Sequence, residues 1–555
     1  MLPRLWGNTN SSNIKNGTLS QNGTGRFSDI DVPSLEYLKW LGCSHVWYTG
    51  IIRHATRETA GGCMPSNPQL VKGNAGSPYA IVDYYDVNPY LADNPDNRME
   101  EFEQLVKRTH DCGLKVIIDF VPNHVSRDYG KVNPTIGHPV LGQDDDKSVH
   151  WKRENDFYYY PGQELRLPVS PVPGHEPYYE YPAMATGNSC FSPAPGINDW
   201  YETVKINYCD TWSPTWDKML DIVRFWADKG VDGFRCDMVE LVPAGFFKWM
   251  ISIVKKEHPD VIFIAEVYQK DSYRKYIREV GFDYLYDKSG LYDSLRTVVE
   301  KNVDDNGMPV ELWQSAEGIT RNWQYLGDLQ PYMLNFLENH DEQRFASDFF
   351  GKDGANAFAA LWVSLFLNRA PYMLYMGQET GERGMDEEGF SGLDGRTTIF
   401  DWWSVSSLRK LYNIIHNNIY ESIANGTISK EELEKNGISE HEALIFSKYA
   451  WALRFAAKSN AVKQGMSYDL CYCNTSSNGF DKTRHFAFLR DFQNETLLFA
   501  ANFSAREAQM ELTIPEHAFE WMELPETPML NKETKIRMNI PPMDAVMFVL
   551  SAPAE

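Results

Sequence analysis

"WDKMLDIVRFWADKG" (216–230), followed directly by "VDGFRCDM" (231–238), decides the architecture of this chain. The first stretch has the spacing of an amphipathic helix, and Gly230 stops it. The second is a short apolar strand that carries an arginine and an aspartate two residues apart. Successive strand side chains alternate faces, so Arg235 and Asp237 share one face while Phe234 and Cys236 take the other. Arg and Asp are almost never buried without a partner. Two readings stay open at this point: a structural ion pair at a strand end, or a carboxylate held ionised by a guanidinium and ready to act as a nucleophile.

The same helix–strand alternation extends in both directions. "VPSLEYLKWLG" precedes "CSHVWYTG", "EEFEQLVKRTHDCG" precedes "LKVIIDFVPNH", and "AGFFKWMISIVKKEHP" precedes "DVIFIAEVY". "GFDYLYD", "PYMLNFLENHD" and "PYMLYMGQE" continue the series. About eight such strands between residues 3 and 377 predict an α/β fold, a (β/α)8 TIM barrel. Residues 125–207 break the pattern, being rich in Pro, Tyr and acidic residues, and read as an irregular domain inserted after strand 3. Residues 378–440 form a second long segment, after strand 8. Beyond residue 465 the pattern is strand-only ("RHFAFLRD", "ETLLFAANFS", "AQMELTI"), which predicts a C-terminal antiparallel β-sandwich. The expected division is a first barrel segment (1–124), the inserted domain (125–207), a second barrel segment (208–464) and a C-terminal β-domain (465–555).

Bulk properties narrow the partners. A formal charge of −23 disfavours nucleic acid and anionic membranes, and a neutral or cationic ligand fits better. Aromatic residues reach 14%, which suits stacking on sugar rings and equally suits a large aromatic core. The eight cysteines form no CxxC pair, so a zinc or redox motif is not expected. No apolar run reaches membrane-spanning length, and "MLPRLWGNTN" has no signal-peptide pattern. The expected location is cytoplasmic as the sequence is written, or periplasmic or extracellular if the N-terminus is truncated. Oligomeric state is not read from the sequence.

Active sites of such barrels lie at the C-terminal ends of the strands. Those ends carry Asp119 and His124, Arg235 and Asp237, Glu266, and His340 with Asp341. Like charges gathered at one mouth cost stability and push pKa values apart, which a purely structural role does not require. The chemistry that uses such an array is glycoside hydrolysis, with one ionised and one protonated carboxyl group. Asp237, beside Arg235, is expected to be the nucleophile. Glu266, in the apolar "FIAEVY" without an adjacent cation, is expected to have its pKa raised by desolvation and to be the general acid. Asp341 would hold the sugar hydroxyls, and His124 and His340 would donate hydrogen bonds to them.

"DFVPNH" (119–124), "GFRCD" (233–237), "IAEVY" (264–268) and "ENHDEQR" (338–344) resemble the four conserved regions of the α-amylase superfamily, glycoside hydrolase family 13, in order. The resemblance covers essentially the whole chain. It implies a retaining double displacement on α-glucosidic bonds of an α-glucan or maltooligosaccharide. Asp237 is then the nucleophile, Glu266 the acid/base and Asp341 the transition-state stabiliser. It places Arg235, His124 and His340 at the first sugar subsite and the Tyr79 ring beneath that sugar. The chemistry needs no cofactor, and Asn123 matches a ligand of a structural calcium.

The sequence departs from the pattern in places. "LPRLWGN" looks like a first barrel strand lacking its beginning. Glu240 and Leu241 stand where many amylases carry the Lys-His of the acceptor subsites. "PGINDWYETVKINY" (195–208) does not match the usual fifth region, which bears on the choice between α-1,4 and α-1,6 bonds. Ala80 replaces the Asp that often follows the subsite tyrosine in exo-acting members; its methyl group is expected at the mouth, leaving room for another glucose unit, so an endo-acting or short-oligosaccharide-releasing hydrolase is expected. The alternatives are a glucanotransferase or isomerase on the same catalytic set and, more distantly, a non-catalytic glycan-binding or transporter-accessory member. The three acids and the lack of a membrane helix argue against the last.

Overall fold

The structure is a computed structural model that describes residues 1–300, 315–493, 495–524, 526, 530–532 and 534–551. Seven parallel strands form one sheet, in the order His45–Tyr48, Lys115–Phe120, Gly233–Cys236, Ile262–Ala265, Tyr284–Tyr286, Met333–Phe336 and Tyr372–Met373. Helices connect them, as a parallel sheet requires. Each helix begins and ends where local chemistry dictates. Helix Val32–Leu41 starts at Asp31, whose carboxylate accepts from Ser34 N, and stops at Gly42 in the left-handed conformation (φ 98°). Helix Pro214–Asp228 opens on a proline, where the missing N–H costs nothing, and runs out at Gly230 (φ 88°).

The register sets which side chains meet. Asp119 pairs with Arg235, Ile264 with Arg235, and Cys236 with Ala265. One side-chain set therefore shares a face of the sheet: Ile117, Asp119, Arg235, Ile264 and Tyr286, with Leu334 opposite Tyr286. Ile117, Ile264, Tyr286, Leu334 and Phe336 pack together in one core. Their alternating neighbours Ile118, Phe120, Phe234, Cys236, Phe263 and Ala265 pack into a different core, beneath the helices. This is the TIM-barrel arrangement, with one face of every strand turned inward and the other toward the helical layer.

The expected first strand is absent from the described sheet. Residues 3–7 form a turn, in which Leu5 N and Trp6 N donate to Leu2 O at 3.0 and 3.3 Å. Pro3 has no N–H to give to a ladder. Met1 alone pairs with the next strand: its ammonium donates to Trp47 O (2.7 Å), and Thr49 N donates to Met1 O (2.9 Å).

Between Phe120 and helix Pro214–Asp228 the chain carries only short antiparallel pairs. His124–Ser126 pairs with Thr203–Lys205, and Tyr159–Tyr160 pairs with Ala183–Met184. The segment after Met373 is helical from Ser406, ending in the 19-residue helix Glu440–Lys458. The C-terminal region stacks a four-stranded antiparallel sheet on the two-stranded pair Ala508–Thr513 and Lys535–Ile540. Leu489, Leu498 and Ala500 meet Met510, Leu512 and Ile540 between them. The other face of the large sheet, with Phe486, Phe488 and Phe499, packs on Phe358 and Phe366 of a barrel helix.

Candidate active site

Arg235 organises the site. Its side chain is 0% exposed and lies among the rings of Trp47, Tyr79 and Tyr286, 5.4, 5.4 and 5.5 Å from their centroids. Nη1 donates to Asp237 Oδ1 at 2.6 Å and lies 3.5 Å from Asp119 Oδ1. Nη2 lies 3.0 Å from Glu266 Oε1, in ion-pair contact without hydrogen-bond alignment. Nε donates to Tyr286 OH at 3.2 Å. One guanidinium thus serves carboxylates from three adjacent strands. This corrects the expectation that Glu266 has no cation beside it: the cation arrives across the sheet, since the pairing of Cys236 with Ala265 sets Glu266 next to Asp237.

The electrostatics follow from one cation among several acids. Burial pushes the Asp237 carboxyl well above its ordinary range; Arg235 opposes this, and the charge of Glu266 adds to it. Arg235 is the counter-ion that the two adjacent carboxylates share, so it offsets only part of what burial and their mutual repulsion cost Asp237. Glu266 Oε2 accepts from Met238 N (2.8 Å) and Oε1 from Tyr268 OH (2.6 Å). Met238, immediately after the strand, adopts a left-handed conformation (φ 44°) that is costly for a non-glycine residue and clusters at functional sites.

Asp341 lies at the mouth with its side chain 44% exposed, 3.1 Å from His340 Nε2. Desolvation raises its pKa, but His340, Arg235 and Arg396 outweigh that and hold it down at about 2. Its backbone is pinned by Arg396 Nε, which donates to Asp341 O at 2.6 Å. His340 also meets Tyr79: the rings stack at 5.3 Å and 22°, with Tyr79 OH 2.5 Å from Nε2. Tyr79 OH lies 3.4 Å from Asp119 Oδ1, and Trp47 Nε1 donates to Asp119 Oδ2 at 3.0 Å. Arg344 turns away from the mouth and pairs with buried Glu338 at 2.9 Å.

The structure thus joins Tyr79, Arg235, Asp237, Glu266, His340 and Asp341 in one network. It does not join His124 by any hydrogen bond or ion pair among the described residues. The His124 ring packs on Trp200 at 5.2 Å, its Nδ1 is 3.1 Å from Asn123 Nδ2, and burial, with Lys205 and Lys72, pushes its pKa down to about 3. Sequence reasoning placed Asp119 at the mouth without a role and left Trp47, Tyr268 and Tyr286 out of the site. The strand register was the signal that places Asp119 and Tyr286 on the face of Arg235. Ala80 also differs from expectation. Its methyl group is 1% exposed, packed with Ala55, Val71 and Val82, and opens no space at the mouth.

The calcium that Asn123 implies does not fit the residues present. Asn123 Oδ1 accepts from Lys205 Nζ at 2.7 Å, its Nδ2 donates to Gly187 O at 2.8 Å, and Lys205 Nζ also donates to Leu241 O at 3.2 Å. A buried ammonium already takes the oxygens that a cation would use. Among the described residues no group of three or more His, Cys, Asp or Glu side chains is placed to hold a metal ion. No helix among them is long and apolar enough to cross a membrane.

A family model described as "Alpha amylase, catalytic domain" matches residues 2–192 and 213–443. The α-amylase MalA of Haloarcula japonica is 27% identical over 360 residues, 65% of this chain and 42% of that protein. Alpha-amylase 3 of Dictyoglomus thermophilum is 25% identical over 400 residues, 70% of this chain and 68% of that one. A maltosyltransferase of Cereibacter sphaeroides, named for α-1,4-glucan and maltose 1-phosphate, is 26% identical over 271 residues, and the match spans only 36% of its length. Among solved structures, a debranching enzyme from Nostoc punctiforme superposes with a TM-score of 0.62 at 18% identity, covering 99% of this chain and 96% of that one. An α-amylase from Geobacillus thermoleovorans complexed with acarbose gives 0.60 at 17% identity, covering 99% and 96%.

Proposed function

The chain belongs to the α-amylase catalytic-domain family, a family of hydrolases and transferases, and from this we propose that it is a retaining α-glycoside hydrolase acting on α-1,4-glucans or maltooligosaccharides. The observation that carries this reading is Arg235, which holds Asp237 and Glu266 side by side at the strand ends with Asp341 open to the mouth. Asp237 Oδ attacks the anomeric carbon and forms a C1–O ester. The glycosidic C1–O bond breaks as Glu266 protonates the leaving oxygen. Glu266, now a base, takes a proton from water, whose oxygen attacks C1 and returns Asp237 as a carboxylate. Asp341 accepts from the sugar hydroxyls, and Tyr79, stacked on His340, offers a ring face to the sugar. Endo action is part of this proposal. It is not supported by space at Ala80.

The test is maltoheptaoside, free and blocked at its non-reducing end, with products followed from the first minutes by chromatography and NMR. Internal cleavage of the blocked chain with α-anomeric products is expected. β-Anomers would refute the double displacement, and glucose alone from the free chain with a resistant blocked chain would refute endo action. Products longer than the substrate would make the enzyme a glucanotransferase.

A further inference from the structure

Glu240, three residues beyond Asp237, is turned onto the enzyme's own backbone. It lies on the turn Val239–Leu241, directly after the left-handed Met238. Its Oε2 accepts from Tyr268 N at 2.9 Å and its Oε1 from Gln269 N at 3.1 Å. Both carboxylate oxygens are thus spent on consecutive amides of the loop that follows Glu266. The strand ends at Ala265; Glu266 N still donates to Cys236 O at 3.2 Å and Val267 is buried in the core, but Tyr268 N and Gln269 N have Glu240 in place of a strand partner. A residue three positions past the strand end reaches back onto Glu266 only if its backbone is held, and Glu240 holds it.

The side chain so placed is Tyr268, whose hydroxyl donates to Glu266 Oε1 at 2.6 Å. Glutamate has one more rotatable bond than aspartate, and terminal carboxyl torsions are broad. The acid/base therefore needs external contacts to keep its proton aimed at the leaving oxygen. Two of its three contacts, Met238 N and Arg235, belong to the strand and turn that carry Asp237. Tyr268 is the third. It is 37% exposed, so its hydroxyl is not needed to fill a core. Desolvation and the Glu266 charge raise the pKa of its phenol well above the ordinary value, which keeps it a donor throughout the working range of a glycosidase.

We propose that Tyr268 is a positioning residue for Glu266 and that Glu240 acts through it, clamping the acid/base loop to the nucleophile loop. The inference rests on Glu266 being the acid/base. It also gives a use to a position that departs from the Lys found there in many amylases.

The test is a series of α-maltosides with leaving groups from 4-nitrophenol to methanol, assayed on the native enzyme and on Tyr268→Phe, Glu240→Ala, Glu240→Gln and Glu266→Gln. Tyr268→Phe is expected to lower kcat about 10- to 100-fold on the poor leaving groups, the size of one hydrogen bond to a charged group. On the 4-nitrophenyl substrate, which needs little protonation, the loss should be under about threefold, with KM nearly unchanged. Glu240→Ala should show the same leaving-group pattern, and Glu240→Gln, which still accepts one of the two amides, should restore some of it. An equal loss across all leaving groups, or a change in KM alone, would overturn the proposal in favour of a structural or sugar-stacking role. Glu266→Gln separates the two failures: if activated leaving groups do not relieve it, the acid/base assignment itself is wrong.

Discussion

Replacing Arg235 with methionine removes the guanidinium that faces Asp237, Glu266 and Asp119 and keeps an aliphatic chain between Trp47, Tyr79 and Tyr286. Leaving a buried carboxylate without its partner costs about 3–5 kcal/mol. Here two acids lie within 3.0 Å of the lost group, so at pH 7 the variant should sit at the upper end of that range. The cost is relieved by protons. Burial and Glu266 already push Asp237 up, and without Arg235 nothing opposes them. A carboxyl whose folded pKa lies above its unfolded value contributes stability that is complete below the unfolded pKa and lost as pH rises through the folded one. The deficit should therefore be largest at pH 7–8 and shrink toward pH 4–5. Urea unfolding of both proteins across that range measures it. Activity should fall by about 10³-fold or more at pH 7, because a protonated Asp237 is no nucleophile. Arg235→Lys should recover stability better than activity, since an ammonium cannot bridge two carboxylates as a planar fork does. A methionine variant as stable as the native protein at pH 8, with unchanged pH dependence, would refute the view that Arg235 holds the acids together.

Asp237→Asn keeps the shape of the nucleophile and should leave the fold intact while lowering turnover on the order of 10⁴-fold, measured by circular dichroism and initial rates on maltoheptaoside. Burial pushes Lys205 down to about 8 from 10.5, so the folded protein releases this proton before the unfolded chain does, and the native protein should gain up to about 3 kcal/mol between those pH values that Lys205→Met does not. With an ammonium on Asn123 Oδ1, excess chelator should leave the unfolding midpoint unchanged; a fall restored by calcium would contradict this.

What could be read from the sequence was whatever repeats along the chain. Helix stops at Gly113 and Gly230 and the short apolar strands after them pointed to the barrel, and the charged strand ends pointed to Asp237, Glu266 and Asp341. What could not be read lies between strands. The Arg235–Glu266 pair depends on parallel register, and the Tyr79–His340 stack joins residues 261 positions apart. Residues 3–7 share the apolar composition of a strand, but Pro3 and the hydrogen bonds to Leu2 make them a turn. The Ala80 methyl was assigned to the mouth from its place beside Tyr79, whereas the backbone turns it into an apolar cluster. Lys205 could not be matched to Asn123 because the short antiparallel pair that joins them spans the whole inserted segment.

If Asp237 is the nucleophile, it carries the sugar between the two displacements. Trapping that intermediate with a fluorinated α-glucosyl fluoride, which slows its hydrolysis, makes the carrier visible. The inactivated protein is then digested and the labelled peptide sequenced by mass spectrometry. One glycosyl group per chain is expected, on Asp237 within "GFRCDM", and none on Asp237→Asn. A label on Glu266, Asp341 or Asp119, or turnover of the probe with no covalent species while hydrolysis proceeds with inversion, would show that Asp237 does not carry it.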